Sequence, residues 1–353
     1  MAASMGSSVI VQDLLSSWPT PRQGPLAEAF RVAMELPAPK DAQSGSSRQS
    51  VIELLTRASP QWASLGSSLC KACSDEDDQL VEHLVSLGAD PNVNDGSCVL
   101  VAATNYDLRC LRHLMKNRPN PAICSRGFAI AITHQDRSRK YHIFVQLVQL
   151  FLQGGATGQA VDDALVEAID AGDRGRHVLE ALLTANPGPN VNHDTGRCLQ
   201  LAVRNNDHSL TTKLLSRDPN TATLSVAFSS IFEAVASEAE LMAMAQLFFD
   251  HAPKNKRIFY PAHDTSSSPL YQSLRLHADK PQLLQLLVDN DCPMNTNFRW
   301  GFVPAMGKED VSPLLWLLCQ ADRKSDQVLQ IVLAHSGRSN PNSIAMNRRL
   351  ATK

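Results

Sequence analysis

The fold is decided by residues 80–98, which read LVEHLVSLGADPNVNDGSC. This stretch combines apolar residues at helical spacing, a Gly-Ala-Asp helix end and an Asn-rich loop that finishes with Gly-Ser-Cys. Residues 179–198, LEALLTANPGPNVNHDTGRC, repeat both the Asn-Val-Asn and the Gly-x-Cys. The chain therefore repeats a structural unit instead of building one irregular domain.

The composition favours small helical units. Hydrophobic residues make up 43% of the 353 positions, enough to bury a large core, whereas aromatic residues make up only 5%, fewer than β-sandwiches use in their strands. The formal net charge of -2 supplies no general field for nucleic acid or an acidic membrane. We therefore expect neither a membrane partner nor a nucleic-acid partner.

The cysteines and the N-terminal residues predict an intracellular location. The eight cysteines are scattered, several inside helical apolar patterns, so we expect reduced thiols instead of a disulfide framework. Residues 1–15 contain no basic leader, and the longest apolar stretches are too short to span a bilayer. We expect a soluble protein of the cytoplasm or nucleus.

Helix pairs fill most of the chain. After Ser67 the pattern predicts eight pairs, each a short Ala/Cys-rich helix followed by a longer Leu-rich helix. A pair this small cannot bury its apolar face alone, so the pairs must stack. The predicted fold is all-α, a continuous solenoid of about 8–10 helix pairs. Its parts are incomplete repeats at 1–66, six repeats at 67–251, and two repeats with inserted loops and a tail at 252–353.

The sequence also has a longer period than that of the helix pair. The tripeptides Arg118-Pro119-Asn120 and Asp218-Pro219-Asn220 are 100 residues apart, and Trp18-Pro19-Thr20 lies another 100 residues earlier. Three units of about 33 residues give this spacing. We infer an ancestral triplet that was duplicated more than once.

The unit resembles the ankyrin repeat in its helix pair, its Gly-Ala-Asp helix end, its Asn/Asp/Gly loop and its period. The Thr-Pro-Leu-His start of that family survives only as Ser268-Pro269-Leu270-Tyr271 and Ser312-Pro313-Leu314-Leu315. The resemblance implies a degenerate ankyrin solenoid that binds a protein partner. It also implies that the hydrogen bonds made between units by the family's Thr and His are absent or replaced.

The sequence is also similar to degenerate arrays in large fungal multidomain proteins that carry NTPase modules. The resemblance implies an alternative function. In that alternative, the chain is a fragment of a larger NTPase-type protein and serves as its sensor or regulatory arm.

No catalytic constellation is visible, so the chain is predicted not to be an enzyme; an unrecognised enzyme that uses Cys or His is the less favoured alternative. Cys70-x-x-Cys73 has no completing ligand pair and is expected to pack. Gly154-Gly155-Ala156 follows a helix and lacks a Gly-Lys-Ser/Thr ending, so we interpret it as a helix end. We predict no cofactor, metal or small-molecule ligand.

The acidic run of residues 75–78 precedes a predicted helix, where carboxylates oppose the positive end of its dipole. Capping is the expected role, and an acidic docking patch is the alternative.

Partner binding is expected through the concave face and the loop tips of the array, at two kinds of residue. Loops of stacked repeats vary without disturbing the core, and Trp, Tyr and Arg dominate interface energetics. The predicted loop contacts are Asp90, Asn92, Asn94, Asp95, Asn192, His193, Asp194 and Arg197. The predicted anchors in the two insertions are Tyr260, Arg299, Trp300 and Phe302. The alternative is that these aromatic residues fold back and cover the end of the array.

Overall fold

The computed structural model describes residues 7–17, 23–35, 50–56, 58, 65–134, 140–252, 256–260, 268–293, 298–303, 308–311 and 326–336. Its contacts divide the chain into two compact units, Met1–Pro189 and Asn190–Lys353. The boundary falls inside the predicted block 67–251, and the division into three parts stays a prediction. Each unit is described by itself.

The described residues of the first unit form helices joined by turns and short loops, with no strand among them. Its helices are α1 (Ser8–Ser17), α2 (Gln23–Glu35), α3 (50–56), α4 (Leu65–Ser74), α5 (Asp78–Ser86), α6 (Val93–Thr104), α7 (Leu108–Lys116), α8 (Pro121–Thr133), α9 (Tyr141–Gln153), α10 (Gln159–Asp170) and α11 (Arg176–Thr184), with a 3-10 turn at Gly172–Gly175.

The helices of the first unit form two layers. The first helices of successive pairs, α4, α6, α8 and α10, contact one another in chain order, and so do the second helices α5, α7, α9 and α11. Each first helix also contacts its own second helix. The apolar stripe that one pair cannot cover is therefore buried between pairs, as Leu84, Leu114 and Phe151 show with no exposed surface.

The second unit repeats this layering. Its helices are α12 (Arg197–Arg204), α13 (His208–Leu215), α14 (Thr221–Ser229), α15 (Glu238–His251), α16 (Pro269–Leu276), α17 (Pro281–Asp289) and α18 (Asp326–Ser336), with 3-10 turns at His193–Gly196, Ser230–Glu233 and Lys256–Phe259. Helices α12, α14 and α16 form one layer, and α13, α15, α17 and α18 form the other. Phe228 lies at the centre of a cluster of aromatic rings that fills this core.

The turns inside the pairs follow one plan. Tyr106 and Asn206 adopt left-handed conformations with φ of 57° and 53°, and the aspartate after each caps the second helix. In the acidic run, the Asp77 carboxylate accepts a hydrogen bond from the N–H of Leu80 at 3.1 Å, which confirms the predicted capping role. At the ends of second helices Gly88 is left-handed, as predicted, with φ of 87°.

Over the residues that the structure describes, the all-helical prediction is confirmed apart from one antiparallel hairpin. Strands β1 (Phe298–Val303) and β2 (Lys308–Val311) occupy the region predicted as an inserted loop. The eighth predicted pair has its first helix at residues 312–319, which lie outside the described residues. The 100-residue period is visible in the helices, because α1, α7 and α13 begin at residues 8, 108 and 208.

Candidate partner-binding surface

Loop 1, residues 90–97, has a left-handed backbone. Asn94, Asp95 and Gly96 have φ of 52°, 55° and 72° in succession. Asn and Asp tolerate this conformation better than other side-chain-bearing residues, and Gly adopts it freely. A Cβ atom on Gly96 would lie 2.4 Å from Cγ2 of Ile123, so the close approach of α8 also requires glycine here.

Loop 2, residues 190–197, has the same backbone in the second unit. Asp194, Thr195 and Gly196 have φ of 47°, 53° and 76°. A Cβ atom on Gly196 would lie 2.3 Å from Cγ2 of Thr223. The two loops are therefore copies in geometry as well as in sequence.

One asparagine in each loop joins neighbouring helix pairs. The side-chain oxygen of Asn92 accepts a hydrogen bond from the N–H of Asn120 at 2.7 Å, and Asn192 receives the N–H of Asn220 at the same distance. Both asparagines are half-buried. We predicted Asn92 and Asn192 as partner contacts, but the structure uses these side-chain oxygens to hold the stack together.

The other predicted loop residues remain on the surface. Asn94, Asp95, Asp194 and Arg197 are exposed, and His193 is partly exposed. Asp90 is also exposed, but it stabilises its own loop.

The carboxylate of Asp90 accepts hydrogen bonds from Asn92, from its backbone N–H at 2.9 Å and from its side-chain amide at 2.7 Å. Asp90 therefore stabilises the conformation of its own loop.

The exposed side chains differ between loop 1 and loop 2. In loop 1 the Asp95 carboxylate pairs with the Arg126 guanidinium of α8, with side chains 79% and 51% exposed. The equivalent positions, 100 residues on, hold Thr195 and Val226, and Val226 is 41% exposed. An exposed ion pair contributes little to stability, so loss of the pair itself costs the fold little. Arg126 and Val226 were not among the predicted contacts, although the 100-residue offset relates one to the other.

The predicted anchor Tyr260 is buried, with 9% of its surface exposed. Its hydroxyl donates a hydrogen bond to the carbonyl of Leu287 at 3.3 Å, and its ring lies edge-on to Phe228 with centroids 6.3 Å apart. Burial raises the pKa of this phenol well above its usual value. The prediction of a surface anchor is therefore wrong for Tyr260, which lies in the core of the second unit.

The remaining anchors, Arg299, Trp300 and Phe302, all lie in strand β1. Arg299 is opposite Asp310 of β2 in the register of the hairpin. Their contribution to binding stays a prediction.

Of the cysteines that the structure describes, Cys70 is half-buried and the others are buried. The thiols of Cys98 and Cys198 each donate to a backbone carbonyl seven residues earlier, at 3.4 Å and 3.6 Å, in the same place of the two copies. Burial raises the pKa of Cys98 to about 12 and that of Cys124 to about 11. A thiol that stays protonated is a poor nucleophile and a poor metal ligand. Cys73 of the CxxC pair is fully buried, as its predicted packing role requires.

A cavity of about 460 Å³ lies within the first unit, among α8, α9, α10 and α11. Its walls are largely apolar and include Ile132, Phe144 and Val178. The Tyr141 hydroxyl at its edge donates to the carbonyl of Arg174, and burial raises the pKa of this phenol. The sequence analysis did not find this cavity, since its walls come from four helices and no local motif marks it.

Comparison with models of known families finds no match for the chain, and comparison with curated proteins finds none either. Within the described part of the chain, no helix combines the length and apolar character needed to cross a membrane. In the same residues, no group of three or more His, Cys, Asp or Glu side chains is placed to hold a metal ion.

Proposed function

We propose that this chain is a non-catalytic scaffold that binds a protein partner through the exposed residues of loop 1 and loop 2. One observation supports the proposal: both loops keep the same backbone, the same inter-pair asparagine and the same buried cysteine, while the residues that face solvent differ. A frame held by internal contacts loses little conformational freedom on binding, which favours affinity. The exposed residues are then free to set specificity.

We further propose that the array is a degenerate ankyrin-type solenoid of the cytoplasm or nucleus. The two layers of stacked helix pairs within each unit support the first part. The asparagine bonds to Asn120 and Asn220 join neighbouring helix pairs, which suits an array in which the family's own Thr and His bonds are absent or replaced. The buried free thiols suit a reducing compartment.

Site-specific crosslinking tests the proposed surface. A photoreactive amino acid replaces Arg126 beside loop 1 or Arg197 in loop 2, and the full chain is irradiated in cell extract. Matched controls carry the same group at Glu180 or Lys213, which are exposed on second helices. We expect the same partner to be captured from Arg126 or Arg197 and to be absent from both controls. Equal capture from all four positions would contradict the proposed surface.

A further inference from the structure

His277 lies in the turn between α16 and α17 and faces the preceding helix pair of the second unit. Its side chain is buried, with 7% of the residue's surface exposed. The Nε2 atom lies 2.8 Å from the carbonyl oxygen of Phe232, in the 3-10 turn that leads from α14 to α15. The Nδ1 atom lies 3.0 Å from Nζ of Lys280. Both ring nitrogens are therefore engaged at the junction between two helix pairs.

These two neighbours determine the protonation state of the ring. A carbonyl oxygen can only accept a hydrogen bond, so Nε2 carries a proton and donates it to Phe232. A lysine ammonium group can only donate, so Nδ1 must present its lone pair to Lys280. The ring is therefore neutral, with its proton on Nε2. A second proton, on Nδ1, would place an N–H and an ammonium group face to face.

Two further contacts cross the same junction. The ammonium group of Lys280 donates to the carbonyl of Ala236 at 3.2 Å. The Glu238 carboxylate of α15 accepts the N–H groups of Gln282 and Leu283 at 2.8 Å and 3.1 Å, and so caps α17, whose own N-cap side chain makes no capping bond. If Lys280 moved away from a protonated ring, its bond to Ala236 would be lost as well.

The surroundings favour the neutral form of the ring. Burial, the largest effect, lowers the pKa of His277, and the charge of Lys280 lowers it further. The bond to Phe232 and the charge of Asp279 act in the opposite direction but are outweighed. The pKa of His277 therefore lies below its ordinary value.

The other charged side chains on the elements around His277 have different partners. Glu233 pairs with Arg204 at 2.6 Å, and Arg275 lies over a tyrosine ring of its own helix. On α15, Glu238 holds the N-terminus of α17, and Glu240 belongs to the capping box of its own helix. Helix α14 has no charged residue, and α17 has one, in its last position.

We propose that His277 is a pH-sensitive clamp between the helix pair α14–α15 and the helix pair α16–α17. At neutral pH the uncharged ring bonds to Phe232 and accepts from Lys280, which closes the junction. On acidification the ring takes up a proton from solvent, the two positive groups repel each other, and the junction opens. The clamp uses none of the residues of loop 1 or loop 2, so it goes beyond the proposed function and is tested separately.

The direction of the pH dependence follows from the lowered pKa. An opened chain binds a proton at His277 more readily than the closed chain does, so acid favours opening. The stabilisation is fully present above the ordinary pKa of histidine, about 6.5, and is lost as the pH falls through the lower pKa of the closed chain.

Hydrogen exchange of the full chain at about pH 7.5 and about pH 5.5 tests the clamp. The reporters are the amides of Gln282 and Leu283, which bond across the junction, with rates corrected for the intrinsic effect of pH. We expect their protection to fall severalfold, up to about tenfold, because an opened histidine is about nine-tenths protonated at the lower pH. The amide of Asn220, which bonds to the uncharged side chain of Asn192, should keep its protection.

Three variants identify the group responsible. His277→Gln keeps a donor and an acceptor but cannot be protonated in this range, so the loss of protection at the lower pH should disappear. Lys280→Gln removes the opposing charge and should make the loss smaller. The matched control, His251→Gln, removes another histidine of the second unit, at the end of α15, and should lose protection as the unaltered chain does.

Nitrogen NMR of the imidazole ring gives a readout that needs no variant. We expect the proton on Nε2 at neutral pH and a pKa for His277 below about 6.5. A proton on Nδ1, or a pKa at or above that value, would overturn the proposal. So would equal loss of protection in His277→Gln and the unaltered chain, or no loss in the unaltered chain.

Discussion

Loop 1 in the first unit and loop 2 in the second unit have the same frame and different surfaces. Both use three successive left-handed residues, a glycine pressed against the next helix, and an asparagine that receives the N–H of a residue 28 positions later. Asp95 and Arg126 form an ion pair on loop 1, whereas Thr195 and Val226 stand at the equivalent places on loop 2.

Comparing loop 1 with loop 2 distinguishes residues that hold the helix pairs together from residues that face solvent. Both kinds occur in the same sequence motif. The asparagines that bond between helix pairs and the glycine pressed against the next helix are identical in both copies, because a change there would disturb the stack. Residues that face solvent are different, because an exposed side chain contributes little to stability. The same motif therefore contains structural positions and candidate recognition positions side by side.

The glycines should give the largest stability effects. We expect Gly96→Ala and Gly196→Ala each to lower the free energy of unfolding by about 2–4 kcal/mol, because the added Cβ meets a side chain and the left-handed backbone is strained. Urea unfolding of each variant measures the loss. The control Gly88→Ala has the same backbone requirement but nothing within 4 Å, and should lose about 1 kcal/mol. A glycine variant no worse than this control would break the claim that close packing fixes the loop.

Replacing either of the asparagines that join the helix pairs should lower the free energy of unfolding by an intermediate amount, equal for the two. Asn92→Ala and Asn192→Ala each remove the acceptor for a backbone N–H, which we expect to cost about 1 kcal/mol. Hydrogen exchange at the amides of Asn120 and Asn220 reports the bond directly and should become faster in the matching variant only. Unchanged hydrogen exchange at these amides would show that Asn92 and Asn192 do not join the helix pairs. Both asparagines would then again be candidates for contact with the partner.

Removing the ion pair between Asp95 and Arg126 should have a small effect on the free energy of unfolding. Because both side chains are exposed, we expect Asp95→Asn and Arg126→Gln each to change the free energy of unfolding by less than about 0.5 kcal/mol. A double-mutant cycle by urea unfolding measures the coupling between them. Coupling above about 1 kcal/mol would make the pair part of the frame and would weaken the distinction between the two loops.

The sequence predicted the elements better than their contacts. The helices, the capping role of the acidic run at 75–78 and the helix end at Gly88 could be predicted because each depends on local sequence. The bond from Asn92 to Asn120 was not, since it depends on how the next pair stacks. Tyr260 was mistaken for a surface anchor because its partners, Phe228 and the carbonyl of Leu287, come from distant helices.

The most direct test of the account exchanges the surface of loop 1 for that of loop 2. The variant Asn94→Asp, Asp95→Thr, Arg126→Val gives this surface three of the residues found 100 residues later. Binding of the crosslinked partner is measured with this variant and with the unaltered chain. We expect partner binding to weaken about tenfold or more, about 1.4 kcal/mol, while the free energy of unfolding falls by no more than about 1 kcal/mol, because Thr fits the left-handed position 95 less well than Asp. Unchanged binding by the folded variant would contradict the claim that these residues carry recognition.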